Sequence, residues 1–314
     1  MSNNLITGGA GFIGSHLTER LLTNGHSVTV VDDFSTGSLQ NFEPSVFDSD
    51  NFETIKQDVT KPIAVDPTFD VVYHLASIPT PSEYMGKPVD TLRVGSLGTQ
   101  RALDVAVESN ATFFLASTSE VYGDPKEHPQ PESYTGNVDP HGPRACYDES
   151  KRYAEALTRS YRDEYDLSVR IARIFNTYGP RMRDSRVVPA FVEQALRDRP
   201  LTVHGDGSQT RSFCFIDDLL SGFEKLVESS VQEPVNLGST DEVTINELAE
   251  VVIDVCESDS GITYTQRPPD DPEQRRPDIT KAKEQLKWEP TTSLYAGLEQ
   301  TADANVGDMY DLTV

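Results

Sequence analysis

Cysteine and positive charge are what this chain is short of. Its three cysteines, Cys146, Cys214 and Cys256, are an odd, widely spaced set with no C-x-x-C pair. That argues against a disulfide framework or a thiolate metal site and fits a reducing, cytoplasmic compartment; no metal is expected. Lysine and arginine number 27 against 51 acids, which leaves a net charge of −24. Such a surface repels nucleic acid and anionic membranes, so neither is an expected partner. It also suits a halophilic cytoplasm, where concentrated salt screens the self-repulsion. Long apolar runs are missing too: none reaches the length of a membrane span, and "MSNN" has no basic n-region leading into a cleavable hydrophobic segment.

What is present is strand–helix alternation in a chain of 314 residues, long enough for a sizeable core. "NLITGGAGFIGSHLTERLLTNGHSVTVVDD" reads as a βαβ unit. A strand at Leu5 and Ile6 enters the turn Gly8-x-x-Gly11-x-x-Gly14, and helical periodicity follows from Ser15 to Asn24. Glycines there let backbone amides approach a pyrophosphate at a helix N-terminus, with Phe12 and Ile13 in the same turn. Asp32 ends the second strand, where a carboxylate accepts from ribose hydroxyls and repels a 2′-phosphate, favouring NAD over NADP. Asp33 beside it could share that role, and Phe34 follows.

"FETIKQDVT" reads as a third strand with Asp58 and Val59 at its end, and "FDVVYHLAS" as a fourth that ends in Leu75, Ala76 and Ser77. A helix over 91–109 and the strand "TFFLAST" come next. The alternation predicts an α/β fold, a doubly wound parallel Rossmann sheet with its ligand crevice at the strands' carboxyl ends. Residues 1–178, with returning segments near 213–240, are expected to form the NAD-binding domain. Residues 179–212 and 241–314 are expected to form a smaller, interleaved substrate-binding domain.

"CYDESKR" places Tyr147 and Lys151 four residues apart, on one helical face. A tyrosine hydroxyl with its ordinary pKa of about 10 is a poor base at neutral pH. A lysine cation about 4 Å away supplies roughly 4 kcal/mol at an effective dielectric of about 20, enough to depress it by about three units. Tyr147 could then accept a proton from a sugar hydroxyl. "STSEVYG" puts Thr118, Ser119 and Glu120 at the end of the fifth strand, two hydroxyls and a carboxylate beside the nicotinamide position. Further on, Arg181, Arg183, Arg186 and Arg211 form a basic cluster in a strongly acidic chain, which points to an anion site.

These features together resemble an extended short-chain dehydrogenase/reductase acting on a nucleotide sugar, and more closely the UDP-glucuronate decarboxylase (UDP-xylose synthase) family. The stretches that carry the resemblance are "GGAGFIGSHL", "YHLAS", "LASTSEVYGDP", "GPRACYDESKR", "RIFNTYGPRM", "LTVHGDGSQTRSF", "PVNLGS" and "DDPEQRRPDITKAKEQLKWEP", spread over nearly the whole chain. The resemblance implies NAD as a bound, recycled cofactor and a UDP-sugar substrate, UDP-glucuronate. In that reaction Tyr147, assisted by Lys151 and Thr118, takes the O4 proton while C4 is oxidised. Carbon dioxide then leaves the 4-ketone, C5 is protonated with Glu120 or Arg275 involved, and the ketone is reduced to give UDP-xylose.

The resemblance also places Asn176, Arg186, Arg211 and Arg275 near the diphosphate or sugar, and the "LTVH" backbone with His204 beside the uracil. His204 reads equally well as a loop histidine without a role. Tyr84 and Arg144 are further expected substrate contacts. Helices over 91–109 and 148–166 are similar to those of a four-helix homodimer interface. This chain departs from the family pattern at Gly95, where an asparagine is usual, at Thr135, where tryptophan is frequent, and in the short "RDSRVV" loop. The rival families are the dTDP-glucose 4,6-dehydratases, which keep an acid where this chain has Ser119, and the UDP-sugar 4-epimerases, which do no chemistry at C5. A non-catalytic NAD-binding scaffold is a third alternative, against which the retained Thr118, Tyr147 and Lys151 argue.

Overall fold

The computed structural model describes residues 1–66, 68–182, 186–267 and 274–311, with side chains described through residue 305. Arg183, one of the expected anion-binding arginines, lies outside the described residues. The chain divides into two compact units. The first comprises Met1–Gly123, Thr135–Arg173 and Phe223–Val235; the second comprises Asp124–Tyr134, Ile174–Gly222 and Asn236–Val314. By this division 124–134, 174–178, 213–222 and 236–240 lie in the second unit. The segment 124–134 is held there by backbone bonds, Gln130 N–H donating to Arg276 O (3.0 Å) and Asp278 N–H to Gln130 O (2.9 Å).

The first unit is built on strands β1 (Asn3–Thr7), β2 (Ser27–Asp32), β3 (Phe52–Lys56), β4 (Val71–His74), β5 (Thr112–Thr118) and β6 (Val169–Ile174). The seven-stranded sheet runs Val235–Leu237, β6, β5, β4, β1, β2, β3. The pairs β1/β2, β1/β4, β2/β3 and β4/β5 are all parallel. Continuous apolar stretches such as Val28, Val30 and Val31 are buried because helices cover both faces of such a sheet. Strand order reverses between β1 and β4, and the carboxyl ends of these two strands open the ligand crevice of a doubly wound sheet.

Helix α1 (Phe12–Thr23) follows β1, and α2 (Pro81–Gly86), α3 (Pro88–Arg93) and α4 (Thr99–Ser109) precede β5. The expected helix over 91–109 thus starts earlier and is interrupted by a π turn, Val94–Gly98. Gly95 sits in that turn because a Cβ there would meet the Ser150 Cβ at 2.5 Å. The helix that carries Tyr147 and Lys151, α5 (Ala145–Tyr165), packs closely on the turn in consequence. One face of the core joins Ala102, Leu103 and Ala106 of α4 to Val72, Phe113, Leu115 and Val169 of the sheet. On the other face Phe114 meets Phe223, ring centroids 4.6 Å apart.

In the second unit the strand Thr210–Ser212 lies between Glu242–Thr244 and Gln274–Arg275. Leu201–His204 pairs in parallel with Ile262–Thr265. The helices of the second half of the chain are α6 (Val187–Leu196), α7 (Ile216–Glu228) and α8 (Ile245–Val255). A capping box starts α8: Glu247 N–H donates to Thr244 Oγ1 at 3.0 Å and Thr244 N–H to Glu247 Oε2 at 2.7 Å. A π turn, Ala282–Leu286, lies ahead of Trp288. None of the helices among the described residues is long and apolar enough to cross a membrane.

Candidate active site

The glycine loop between β1 and α1 shows two different requirements for glycine. Gly8 has φ +73°, and a Cβ on it would lie 2.6 Å from Ala76 N; one on Gly14 would lie 2.3 Å from Gly8 O. These two are fixed by the protein's own packing, which brings the turn against Leu75 and Ala76 at the end of β4. Gly11 is different: its nearest neighbour to a Cβ would be Gly8 O at 3.4 Å, an ordinary contact. The bare Cα at Gly11 leaves room for a ligand, and no side chain caps α1 there, so first-turn amides face an incoming anion. Phe12 and Ile13 flank that opening, half-buried.

Asp32 is buried and stitched to the loop: Ala10 N–H donates to Oδ2 (3.0 Å) and Phe34 N–H, at φ +59°, to Oδ1 (2.9 Å). Burial raises its pKa, while those two amides pull it back. Each oxygen keeps a second lone pair for a ribose hydroxyl. The cradle therefore fits a dinucleotide. Asp33 is exposed and accepts from Ser35 N–H at 2.8 Å. Asp58, also exposed, folds back on Thr60, whose N–H and Oγ1 both lie at 2.8 Å. Val59 is buried beneath Gly98, and Leu75, Ala76 and Ser77 are half-buried at the end of β4.

The expected catalytic residues of this unit converge at the ends of β5 and α5. Lys151 is buried, donates from Nζ to Ala116 O at 2.9 Å and lies 5.9 Å from the Tyr147 ring centroid. Burial pushes its pKa down to about 8, with Glu155 opposing. Thr118 ends the strand, and its Oγ1 accepts from Glu120 N–H at 3.3 Å, opening a 3₁₀ turn, Ser119–Tyr122. Glu120 is ion-paired: its Oε1 lies 2.8 Å from Arg144 Nη2. Arg144, an expected substrate contact, makes that ion pair just ahead of α5. Tyr84 is fully buried and stacked on Tyr147, centroids 5.0 Å apart and planes 10° from parallel, so it backs the Tyr147 ring.

Reading the sequence missed the polar side chains behind this cluster. Glu155, Arg173, Ser117 and Tyr122 are linked beneath the 3₁₀ turn. The signal was available in the spacing, because Glu155 lies four residues beyond Lys151 on α5. His74 was missed too. It is buried at the end of β4 between Thr7 Oγ1 (2.7 Å) and Thr99 Oγ1 (3.1 Å), and burial pushes its pKa down to about 3, so it stays neutral.

In the second unit Arg211 and Arg275 are both buried and are register partners on adjacent parallel strands. Asn176 is half-buried, and its Nδ2 is enclosed without a hydrogen-bond partner. Arg186 stands at the N-cap of α6, half-buried. His204 is exposed at the end of its strand, its Nδ1 3.0 Å from Thr265 Oγ1. Among the described residues no cluster of His, Cys, Asp and Glu could hold a metal ion.

A family model described as GDP-mannose 4,6 dehydratase matches residues 5–301. UDP-glucuronic acid decarboxylase 1 of Danio rerio is 50% identical over 299 residues, which cover 95% of this chain and 71% of that protein. UDP-glucuronic acid decarboxylase 2 of Arabidopsis thaliana is 51% identical over 296 residues, 94% of this chain and 66% of that protein. The chain belongs to the UDP-glucuronic acid decarboxylase family. Among solved structures, the UDP-glucuronic acid 4-epimerase of Bacillus cereus, in complex with UDP-glucuronic acid and NAD, superposes with a TM-score of 0.85. It is 31% identical and covers 98% of this chain and 100% of that one. The fold is therefore shared by decarboxylases and epimerases.

Proposed function

We propose that this protein converts UDP-glucuronate to UDP-xylose and carbon dioxide. The observation that carries the reading is the turn after β5, where Thr118 and an ion-paired Glu120 stand at the helix of Tyr147 and Lys151. The identity of about half with decarboxylases across nearly the whole chain supports it. When bound in the glycine-loop cradle, NAD supplies the oxidation of C4 and its later reversal. Tyr147 accepts the O4 proton, and the Lys151 cation favours the charge this leaves on the phenolic oxygen. A ketone at C4 is β to the C6 carboxylate, so carbon dioxide leaves with its bonding electrons delocalised onto O4. Thr118 and the reprotonated Tyr147 donate hydrogen bonds to that oxygen. Glu120, held as a carboxylate by Arg144, orients the water that delivers the proton C5 must gain. Arg211, Arg275, Asn176 and Arg186 are assigned to the diphosphate and sugar, and His204 to the base.

Turnover in D2O tests the C5 step: UDP-xylose should carry one solvent deuterium at C5, whereas a C4 epimerase leaves C5 unlabelled. Glu120→Gln should lower kcat about 100-fold with KM changed less than about threefold. A variant that loses affinity alone would make Glu120 a binding residue. Asp32→Ala should weaken NAD binding about tenfold or more and narrow the preference over NADP, measured by fluorescence titration with both cofactors.

The same reading takes the protein to be a cytoplasmic homodimer. Val89, Leu92, Leu97 and Tyr153, on α3, the π turn and α5, are more than two-fifths exposed, an apolar set suited to a second copy of the chain. The cysteines are free, Cys146 and Cys214 buried, as suits a reducing compartment. The net charge of −24 supports adaptation to high salt.

A further inference from the structure

Behind the Thr118–Glu120 turn runs a buried polar chain that none of the reaction steps above uses. Ser117 Oγ donates to Glu155 Oε1 at 2.5 Å. Arg173 grips the same carboxylate in a fork, Nε to Oε1 at 2.9 Å and Nη2 to Oε2 at 2.7 Å. Arg173 Nη1 donates to Tyr122 Oη at 3.0 Å, and the guanidinium lies 5.0 Å from that ring's centroid. Ser117 precedes Thr118, and Tyr122 closes the turn carrying Glu120, so the chain holds this segment at both ends. Glu155 also stands one helical turn from Lys151, whose Nζ is tied to Ala116 O, next to Ser117.

We propose that Glu155 is a positioning residue for the reaction: through Ser117 and Arg173 it fixes the Thr118–Glu120 turn, and across one turn of α5 its carboxylate sustains the Lys151 cation. The proposal rests on the roles given above to Tyr147 and Lys151.

The groups around Lys151 fix the direction of the pH effect. Tyr147 and Glu155 share its helix, His74 faces it from β4, and Arg173 backs Glu155 from β6. Tyr84, Arg144 and Glu120 gather around Tyr147, and Arg101 and Asp104 of α4 pair with each other. His74 is neutral and adds no charge. Burial has already brought Lys151 down to about 8, against the pull of Glu155. Removing that carboxylate leaves Arg173 uncompensated, and both changes disfavour the Lys151 cation. A cation that catalysis needs is present below its pKa and lost as pH rises through it, so the alkaline limb of kcat/KM should move to lower pH.

Glu155→Gln is the direct test, and Glu155→Gln/Arg173→Met guards against misfolding from an unpaired buried arginine. In Glu155→Gln the alkaline limb should fall by about one pH unit, and in the double variant, which also removes the Arg173 charge, it should fall in the same direction by less. At neutral pH kcat should fall about tenfold, with KM for UDP-glucuronate within about threefold of wild type. Ser117→Ala, which keeps every charge, should lower kcat without moving the limb. Folded Glu155 variants with an unmoved limb, their activity tracking only the folded fraction seen by circular dichroism, would overturn the proposal. Lys151→Met separates the two levels of the argument: if it turns over like wild type, the underlying site reading fails. If it is inactive while the Glu155 variants keep the wild-type limb, only the present proposal fails.

Discussion

Tyr147→Phe is expected to reduce turnover of UDP-glucuronate by about 10³-fold or more, because the variant has no hydroxyl to accept the O4 proton. Ring packing should survive. Tyr84 stacks on the face of residue 147 at 5.0 Å, and a phenylalanine keeps that face and the Lys151 contact at 5.9 Å. Thermal stability and UDP affinity should therefore remain near wild type, and no transient NADH absorbance should appear in a rapid-mixing experiment. A variant that still oxidised C4 at a measurable fraction of the wild-type rate would move the base elsewhere. Thr118, half-buried at the end of β5, would be the next hydroxyl to test.

The second large effect separates two glycines of one loop. Gly14→Ala forces a methyl to within 2.3 Å of Gly8 O and 2.6 Å of Gly9 Cα, both backbone, so α1 must draw away from β1. Overpacking of that kind costs about 1–3 kcal/mol, and both stability and NAD binding should fall. Gly11→Ala meets nothing closer than 3.4 Å and should melt like wild type. Its methyl nevertheless fills the space over the α1 N-terminus, so NAD affinity should drop about 100-fold. Isothermal titration of both variants, beside their melting curves, checks this. A stable Gly11→Ala protein with undiminished NAD affinity would mean that this cradle does not hold the cofactor.

What could be read from the sequence was local. The Gly8–Gly14 turn, Asp32 at the end of β2 and the Tyr147–Lys151 spacing each lie within one supersecondary unit, so periodicity and motif place them without tertiary knowledge. Parallel strand order followed because buried, apolar strands alternating with helices have few other arrangements. Pairings across the fold were not legible. Nothing near Glu120 in the chain announces Arg144 as its partner, and a tyrosine in the loop after β4 gives no sign that it will be buried under Tyr147. The π turn at Val94–Gly98 was hidden for a related reason: helical periodicity does not register an extra residue, and only the packing of Gly95 on Ser150 accounts for it. The place of 124–134 in the second unit was not legible either, since it rests on hydrogen bonds to Arg276 and Asp278, distant in sequence.

The central claim is that the cluster around Tyr147 works at C5 as well as at C4. Its most direct test is to incubate the protein with UDP-glucuronate and catalytic NAD at high salt, following the sugar nucleotide by mass spectrometry and NADH by absorbance. The account predicts complete conversion to UDP-pentose with release of carbon dioxide and no net NADH. A product of unchanged mass, UDP-galacturonate, would contradict it and make the protein a C4 epimerase.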